Sequence, residues 1–475
     1  MHELGMKKGL KHLLGGSITG RCLNFVFNIG LTRILGASNL GLFGLILATS
    51  QTFEITTRVG VDYGMQCSLT ERETENQLST IEENIIVSSA MRWIEITTVF
   101  FGVFLIVWLI PVEGLLPKEL TISRNFAAII MLLICCIESL GGLAWDILLV
   151  AGKTKLVALK TGLFVPCKLG LALTGAWVWG LKGCLIAYTI VCVGQTIWLR
   201  KTIGLRWSDK KSKQPIDWRK ILWMVQAGLP LYATNAISAL VFLPLLGNLA
   251  ADANLEDVGY IRVGQIVVQI FSLLPGALAP LLFIKLRQTK DSDIAHNHSE
   301  VSLLFIWLAG IFMLLTYTAI DKTIVLVFFG EDFLPALSAT RLLALVAILD
   351  AISQVLHTSL LARAETRLFS ITQNLSAIAA GVLGWLLIPV LGIAGFLAAK
   401  LVYSWLPVMV YITDAWGRLK NKRIVSTLLV MTAITTHLCW GEKTLNAYLW
   451  VACTIFIAIL AAKLAAKSNI FFINP

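Results

Sequence analysis

Long apolar runs alternate with short charged or glycine-marked connections along almost the whole chain. A helix needs about 20 apolar residues to cross the hydrocarbon core of a bilayer, and about fourteen runs reach that length. The pattern therefore predicts an all-α membrane protein with about 14 transmembrane helices. The predicted spans are centred near Cys22, Ser50, Val99, Leu133, Leu169, Thr189, Ala239, Gln269, Leu308, Ala347, Ala380, Ala399, Val430 and Phe456.

The segment from Gly152 to Ala187 has a counterpart later in the chain. A shift of 212 residues (from 180 to 392), with no gap, places Gly180 and Gly183 on Gly392 and Gly395. In both copies a basic turn and an apolar run precede this Gly-x-x-Gly corner, and a second apolar run follows it. Two halves of similar build are a common plan in transporters, and we predict that plan here. Two unrelated helical hairpins are the alternative interpretation.

The repeat groups the predicted spans into six, six and two. We predict a six-helix bundle at residues 1–201, a basic linker at 202–220, a second six-helix bundle at 221–416, and two further helices with a cytoplasmic tail at 417–475. The linker region is rich in Lys and Arg, and Trp207 and Trp218 are interleaved with them. Such a segment is suited to lie on an anionic leaflet, although a solvated cytoplasmic linker is the alternative.

Composition agrees with a polytopic membrane protein. The chain has 57% hydrophobic and only 14% charged residues, with a mean hydropathy of +0.79. A soluble domain cannot keep that much apolar surface away from water. The nine cysteines lie mostly inside apolar runs, so neither a disulfide framework nor a zinc site is predicted. No nucleophile with a placed base and no phosphate-binding glycine loop is evident, so we predict no enzyme activity, no cofactor and no metal.

The distribution of Lys and Arg predicts the orientation. These residues concentrate in alternate connections and are sparse in the intervening ones. Because cytoplasmic loops carry the excess of positive charge, both termini are predicted to face the cytoplasm. The formal net charge of +11 is then mainly a topology signal, and we predict no nucleic-acid binding.

Several basic residues fall within the predicted spans, where each charge would cost about 2.5 to 3.5 kcal/mol at a helix centre. Most must therefore face a watery cavity, a partner charge or the end of a span. Two local pairs, Glu54 with Arg58 and Arg92 with Glu95, have spacings that place both side chains on one helix face. Arg341 is predicted to lie near the outer end of its helix and to reach the interface. The six embedded cations are Arg21, Arg92, Lys168, Arg262, Arg341 and Lys400.

Arg21, Lys168 and Lys400 have no acidic residue within four positions. Arg21 belongs to a polar stripe on the first helix, and the eighth span carries a similar stripe. We predict that these stripes border a wet cavity between the two halves, lined by unpaired cations and amides. A polar seam between helices is the alternative. The stripe residues are Ser17, Arg21, Asn24 and Asn28 in the first helix and Arg262, Gln265, Gln269 and Ser272 in the eighth span.

A cationic cavity predicts an anionic cargo, and phosphate is a natural partner for Arg. Amides and tyrosines suit hydroxyl-rich groups such as sugars. Three embedded acids, Glu138, Asp146 and Asp350, admit two interpretations. They either supply packing polarity or carry a coupling proton or cation.

The stretch from Leu31 to Phe43, Leu-Thr-Arg-Ile-Leu-Gly-Ala-Ser-Asn-Leu-Gly-Leu-Phe, follows a basic N-terminus and a helix with two Asn residues. It resembles the opening of polysaccharide flippases of the multidrug/oligosaccharidyl-lipid/polysaccharide superfamily, notably the Wzx-type O-antigen flippases. The segment from Glu256 to Tyr260 resembles its counterpart in the second half. The basic turn, the Gly180 corner and their repeats also fit that family.

The resemblance implies two six-helix bundles related by a pseudo-twofold axis along the membrane normal, plus two C-terminal helices, alternating between inward-open and outward-open states. It implies transfer of undecaprenyl-pyrophosphate-linked oligosaccharide, such as an O-antigen repeat unit, from the cytoplasmic to the periplasmic leaflet of a bacterial inner membrane. Membrane lipids and polysaccharide polymerases or ligases are the implied partners. Arg21, Lys168, Arg262 and Lys400 are the candidates for the pyrophosphate.

Two alternatives share this fold. A cation-coupled multidrug exporter would favour an acidic cavity, and a flippase for the peptidoglycan lipid precursor would differ in its substrate. A membrane glycosyltransferase or polymerase would need a sizeable loop with catalytic acids, and no connection offers one.

Overall fold

The computed structural model describes residues 2–65, 80–109, 122–150, 154–203, 217–252, 255–272, 292–362 and 366–415, together with the single residues 275, 282 and 286. Within these residues the chain is almost entirely helical and contains no strand. The predicted linker falls largely outside this part of the chain. The two predicted C-terminal helices fall wholly outside it.

Eleven α-helices are labelled here in chain order. They are α1 (His2–Arg58), α2 (Thr80–Leu109), α3 (Arg124–Val150), α4 (Thr154–Leu159), α5 (Val165–Ile203), α6 (Trp218–Asp252), α7 (Leu255–Val268), α8 (Ser292–Ile324), α9 (Leu337–Ala362), α10 (Thr366–Leu391) and α11 (Ile393–Ala415). A π-helical turn at Lys160–Phe164 joins α4 to α5, and a π turn at Val325–Phe329 with a 3-10 turn at Glu331–Ala336 joins α8 to α9.

Nine helical stretches in the described residues are long and apolar enough to cross a membrane. Two of them are too long for one crossing. Thr19–Arg58 has 40 residues and Gly162–Ile203 has 42, whereas a 20-residue helix already spans about 30 Å. The first stretch breaks at Gly36, whose φ of 70° and ψ of 175° are not helical. The predicted spans near Cys22 and Ser50 lie on either side of that break.

The second long stretch folds back on itself at the glycine corner that the sequence predicts. Trp179 and Gly180 have non-helical dihedral angles, and φ of Gly180 is +61°. A Cβ atom on Gly175 would lie 2.3 Å from the carbonyl oxygen of Gly183, so the segments before and after the corner touch through their backbones. Its predicted repeat, Gly392, also has a positive φ, +54°. Only glycine adopts such angles readily, which explains its presence at both corners.

The described chain forms two compact units. The first runs to Gly259 and includes Ile388–Gly392, and the second contains Tyr260–Leu387 and the chain from Ile393 onward. The helix α6 packs in the first unit, against α1 and α2. The predicted bundles at 1–201 and 221–416, and the pseudo-twofold axis between them, stay predictions.

Each unit has a close-packed interior. In the first unit, buried side chains of α1, α3 and α5 form one hydrophobic cluster, and the rings of Phe43 and Tyr188 meet edge to face at 5.8 Å. In the second unit Trp307 of α8 is fully buried, and Phe333 packs against Tyr260 with ring centroids 6.3 Å apart. Because lipid chains are as apolar as these side chains, van der Waals packing and polar contacts between helices hold such an interior together.

Close backbone contacts lie at both ends of the second half of α1, all within the first unit. At one end, a Cβ on Gly41 would lie 2.0 Å from the carbonyl oxygen of Leu255 in α7. Beyond the other end, a Cβ on Gly64 would lie 1.9 Å from the carbonyl oxygen of Met224 in α6. Gly41 and Arg58 are about 25 Å apart at 1.5 Å of rise per residue, close to the thickness of the hydrocarbon core. The two contacts are therefore separated by a distance close to the thickness of the hydrocarbon core.

We call the contact with α6 the Gly60 contact, formed by Gly60, Gly64, Met224 and Gly228. A Cβ on Gly228 would lie 1.9 Å from the carbonyl oxygen of Gly60. Beside this contact, Asn235 of α6 donates a hydrogen bond to the hydroxyl of Tyr63 at 2.7 Å. The absence of side chains at the three glycines lets the two backbones touch here.

Candidate functional site

A buried ion pair lies at the centre of the first unit. Lys168 of α5 donates to Glu138 of α3, with 2.7 Å between Nζ and Oε1. The two side chains are 12% and 15% exposed, so most of the pair is withdrawn from solvent. The prediction that Lys168 is unpaired, which depends on the lack of an acid within four residues, is wrong. Its partner is 30 residues away on a neighbouring helix.

Other donors surround the same carboxylate. Tyr188 donates its hydroxyl to Oε1 at 3.1 Å, and Ser50 donates to Oε2 at 3.1 Å. The thiol of Cys192 lies 3.5 Å from Oε1. The Lys168 ammonium also lies 5.5 Å from the centre of the Tyr188 ring. An ionised carboxylate only accepts hydrogen bonds, and this set of donors matches that requirement.

The second unit contains an equivalent arrangement. Asp350 of α9 occupies the position of Glu138 after the same 212-residue shift (from 138 to 350). Ser404 of α11, the counterpart of Cys192, donates to Asp350 Oδ1 at 2.5 Å. Lys400, one turn before Ser404, attracts Asp350 electrostatically. The repeat is therefore visible in the contacts of an embedded acid as well as in the glycine corners.

This comparison explains why the two lysines do not match each other in the repeat. Lys400 stands where the first unit has Tyr188, and Lys168 stands where the second unit has Ala380. The acid and the small donor occupy matching positions in both units, whereas the cation comes from a different helix in each. Both units thus place a lysine near an acid, but the lysine comes from a different position of the repeat in each unit.

The two acids differ in their access to water. Glu138 and its donors are largely closed off from solvent. Asp350 is exposed to solvent, and Lys400 is half-buried. Asp350 is therefore open to solvent, unlike Glu138. The Lys400 ammonium lies 5.6 Å from the centre of the Tyr403 ring.

The third predicted acid, Asp146, belongs to a different cluster. Arg58 at the end of α1 donates from Nη1 to Asp146 Oδ2 at 2.9 Å and to Asp62 Oδ2 at 3.1 Å. Its Nη2 atom contacts Glu54, as the spacing of four residues predicts. The contacts of Arg58 with the two aspartates were not predicted from the sequence, in which Arg58 counts as a charge of a cytoplasmic connection. The Arg58 to Asp62 spacing of four residues was the available signal.

The polar stripe of α1 is only partly accessible. Arg21 and Asn24 are half-buried, whereas Asn28 is 2% exposed. The Asn28 amide donates to the backbone oxygen of Asn24 at 2.7 Å, within the same helix. Thr32 in turn donates to the backbone oxygen of Asn28 at 2.7 Å. At Asn28 the stripe therefore faces packed protein, which agrees with the alternative interpretation of a polar seam between helices.

In the stripe of the second unit, Arg262, Gln265 and Gln269 are half-buried and Ser272 is exposed. Arg262 of α7 donates from Nη1 to the side-chain oxygen of Gln265 at 3.2 Å. Gln269 lies in the turn that follows α7 and donates its backbone N–H to the carbonyl oxygen of Ile266. The wet cavity between two halves, and the contact of these residues with a substrate, stay predictions.

Two further cations have long-range partners that the local spacing did not reveal. Glu95, predicted to pair with Arg92, accepts a hydrogen bond from Arg200 at 2.8 Å. Arg341 bonds to Asp321, which is 3% exposed near the end of α8. Arg341 therefore binds a buried acid, whereas its position in the sequence predicts a side chain that reaches the interface. Neutralisation by a neighbouring helix is the common solution for these embedded charges.

Similarity to known proteins is visible only in the structure. No protein-family model matches the chain, and no curated protein matches it. The solved structure of the lipid II flippase MurJ, in an inward closed conformation, matches with a TM-score of 0.72 at 11% sequence identity. The match covers 95% of this chain and 98% of that one.

Multidrug transporters of the MATE family also share the fold. An inward-facing MATE transporter of the MOP superfamily matches with a TM-score of 0.56 at 12% identity, covering 85% of this chain and 96% of that one. A eukaryotic MATE transporter matches with a TM-score of 0.59 at 12% identity, covering 90% and 98%. At these identities the likeness establishes the fold alone. The prediction of an all-α membrane fold is thereby confirmed, and the count of 14 helices stays a prediction.

Proposed function

We propose that this chain is a flippase that moves an undecaprenyl-pyrophosphate-linked oligosaccharide, of the O-antigen repeat-unit type, from the cytoplasmic to the periplasmic leaflet of a bacterial inner membrane. The observation that carries the proposal is the likeness in fold to a lipid II flippase along 95% of this chain. The compared structures are flippases and transporters rather than enzymes. The resemblance of residues 31–43 to O-antigen flippases supports the narrower substrate.

The charges of the described interior suit a phosphorylated cargo. Lys400, Arg21 and Arg262 are half-buried on their helices, and Asp350, the acid near Lys400, is exposed to solvent. A pyrophosphate competes with a carboxylate for the same lysine because both are anionic oxygen acceptors. In this proposal Lys400 leaves Asp350 to meet the pyrophosphate, and the lipid tail stays in the bilayer.

Lys168 has a different role in the proposal from the one predicted. Its ammonium already matches the charge of Glu138 and is mostly buried. We assign Lys168 to holding α5 against α3, and we assign the first contact with the phosphate to Arg21, Arg262 and Lys400. Asn24, Gln265 and Gln269 supply amides to the sugar hydroxyls. Transfer between the leaflets proceeds by alternating access, with both termini in the cytoplasm.

A cation-coupled multidrug exporter is the second candidate, and the fold shared with MATE transporters supports it. The acids Asp62, Asp146 and Asp350 would then attract cationic drugs. A flippase for the peptidoglycan lipid precursor is the third candidate, and the match to the lipid II flippase supports it. The three candidates differ in what a cell loses when the protein is absent.

The test is deletion of the gene, with complementation by the wild type and by two variants. We expect viable cells that lack surface polysaccharide and accumulate lipid-linked oligosaccharide in the inner membrane. Wild-type protein should restore display, whereas Arg21→Ala and Lys400→Ala should not, at equal protein levels in the membrane. The variants should fail because a pyrophosphate inside a low-dielectric region needs these counter-charges. Lys182→Ala, at an exposed position of α5, is the matched control and should restore display.

Other outcomes identify the other candidates. Normal display together with increased sensitivity to cationic drugs would replace the flippase proposal with the exporter. Loss of viability together with intact surface polysaccharide in a depletion strain would point to the peptidoglycan precursor. Normal display from both Arg21→Ala and Lys400→Ala would remove the proposed phosphate contacts.

A further inference from the structure

A polar face of α6 lies against the end of α1 and the turn that follows it. Tyr232 donates its hydroxyl to the backbone oxygen of Thr56 at 3.3 Å, and Asn235 donates its amide to the hydroxyl of Tyr63 at 2.7 Å. Residues three apart on a helix share one face, so Tyr232 and Asn235 point to the same side. Both tyrosines are half-buried, and Asn235 is exposed. We call the group formed by Asp62, Tyr63, Tyr232 and Asn235 the Tyr63 patch.

Asp62 gives this patch a buried acceptor that lacks a donor. The residue is 6% exposed, and its Oδ1 atom has no hydrogen-bond partner among the described residues. The hydroxyls of Tyr63 and Tyr232 lie within electrostatic range of its carboxylate. Buried polar atoms in native proteins are nearly always hydrogen-bonded, and one left without a partner is destabilising. The Oδ1 atom therefore requires a donor that this conformation of the described chain does not supply.

The contacts of Asp62 favour a neutral donor over a second cation. Its other oxygen, Oδ2, accepts a hydrogen bond from Arg58 Nη1 at 3.1 Å, so the charge of the carboxylate already faces a guanidinium. The remaining members of the patch are neutral, and each can both donate and accept. A hydroxyl group also donates and accepts. The chemistry of the patch therefore suits a neutral ligand with several hydroxyl groups, which is the chemistry of a sugar.

The Gly60 contact controls access to the patch. Asp62 lies between Gly60 and Gly64 in the sequence, and the backbones at both glycines touch α6. Gly228, which touches Gly60, precedes Tyr232 by about one turn of the same helix. While this contact is formed, α6 covers Asp62, and Asn235 is bonded to Tyr63. Movement of α6 away from the turn uncovers Oδ1 and releases the Asn235 amide.

We propose that the Tyr63 patch binds sugar hydroxyls of the lipid-linked oligosaccharide when the Gly60 contact opens. A sugar hydroxyl then donates to Asp62 Oδ1, and Asn235 exchanges the hydroxyl of Tyr63 for a sugar oxygen. When the contact closes, the hydrogen bonds of Asn235 and Tyr232 to the end of α1 and its turn replace those to the sugar. This inference rests on the proposed function and identifies a site for the glycan, separate from the groups assigned to the phosphate.

A site of this kind distinguishes a lipid that carries sugar from one that does not. Polar groups built to bind a hydroxyl are left unpaired by a ligand that lacks it, which penalises that ligand. We expect wild-type protein to bind undecaprenyl-pyrophosphate-linked oligosaccharide at least tenfold more tightly than undecaprenyl pyrophosphate, a difference of about 1.4 kcal/mol. Equilibrium binding of the two lipids to the full-length protein in nanodiscs measures this preference.

Variants assign the preference to the patch. Asp62→Ala and Asn235→Ala should bind the two lipids with nearly equal affinity and keep the wild-type affinity for undecaprenyl pyrophosphate. Asn235→Ala, at an exposed position, tests the site and leaves the ion pairs of Arg58 in place. Gln226→Ala is the matched control, because it removes an exposed amide of α6 two and a half turns earlier, on the opposite side of the helix. It should keep the wild-type preference.

Four results separate the possible outcomes. Full preference for the glycosylated lipid in Asn235→Ala would overturn the glycan site. If wild-type protein binds both lipids equally and moves them between leaflets, the proposed function stands and the glycan site fails. If neither lipid binds more tightly than an anionic phospholipid, the proposed function fails as well. Binding of the cation tetraphenylphosphonium that is lost in Asp62→Ala would assign the patch to a cationic ligand and overturn the inference.

Discussion

Glu138→Ala is expected to lower the free energy of unfolding by about 3–5 kcal/mol, the usual cost of removing one partner from a buried ion pair. The variant leaves the Lys168 ammonium, 12% exposed, without its carboxylate among the apolar helices of the first unit. Tyr188, Ser50 and Cys192 also lose the acceptor that their side chains share. Unfolding in mixed micelles measures the change.

The double variant Glu138→Ala/Lys168→Met is the matched control for this experiment. It removes both charges and keeps an apolar side chain of similar length in α5. Replacing both members of a buried pair by apolar groups is often neutral or stabilising, so the double variant should recover most of the lost stability. Two results would contradict the proposed role of this ion pair in stability. One is a single variant whose free energy of unfolding lies within about 1 kcal/mol of wild type, and the other is a double variant as unstable as the single one.

Gly228→Ala is expected to reduce transport at least tenfold. The new Cβ would lie 1.9 Å from the carbonyl oxygen of Gly60, and neither backbone can move aside as a flexible side chain would. Overpacking of this kind costs about 1–3 kcal/mol, and a shift of 1.4 kcal/mol between two conformations changes their ratio tenfold. The conformation in which the Gly60 contact is formed would therefore be less populated. Initial rates in proteoliposomes measure the effect.

Gly194→Ala provides the control for the same substitution in another helix. Gly194 of α5 is exposed, and nothing lies within 4 Å of a Cβ placed there. Alanine is a better helix former than glycine by about 1 kcal/mol, so this variant should keep its transport rate and gain slightly in stability. Wild-type transport by Gly228→Ala would show that the Gly60 contact is not needed during the cycle.

The fold was predictable because a bilayer imposes strict demands on sequence. Spans must be long and apolar, and turns within the membrane need residues with special dihedral angles. The predicted repeat of the Gly180 corner at Gly392 is matched by positive φ at both glycines. The same shift relates Glu138 to Asp350. This match is present in the sequence, but only the structure shows that both acids have similar hydrogen-bond partners.

The partners of the embedded charges were much less predictable. Spacing within one helix predicted the Glu54 to Arg58 pair, which the structure confirms. Lys168 and Glu138 are 30 residues apart and pair because α5 lies against α3. In a helix that is apolar on nearly every face, the spacing of apolar residues does not show which face packs against which neighbouring helix. Ion pairs between separate spans could therefore be identified only from the structure.

This difference changes the argument for the substrate. The sequence predicted a cavity with unpaired lysines, whereas the structure places both Lys168 and Lys400 near an acid. The acid near Lys400, Asp350, is exposed to solvent, whereas Glu138, the partner of Lys168, is mostly buried. The proposed phosphate contact therefore depends on exchange of a carboxylate for a phosphate at Lys400. A permanently unmatched charge is not required.

The most direct test of the proposed function is movement of a defined lipid between leaflets. Purified full-length protein would be reconstituted into liposomes that carry a fluorescent undecaprenyl-pyrophosphate-linked oligosaccharide, and a membrane-impermeant quencher would report the outer-leaflet fraction over time. We expect protein-dependent transfer that is absent from empty liposomes and slowed by Lys400→Ala. Transfer no faster than in empty liposomes, with the same preparation transporting a cationic drug, would contradict the proposal.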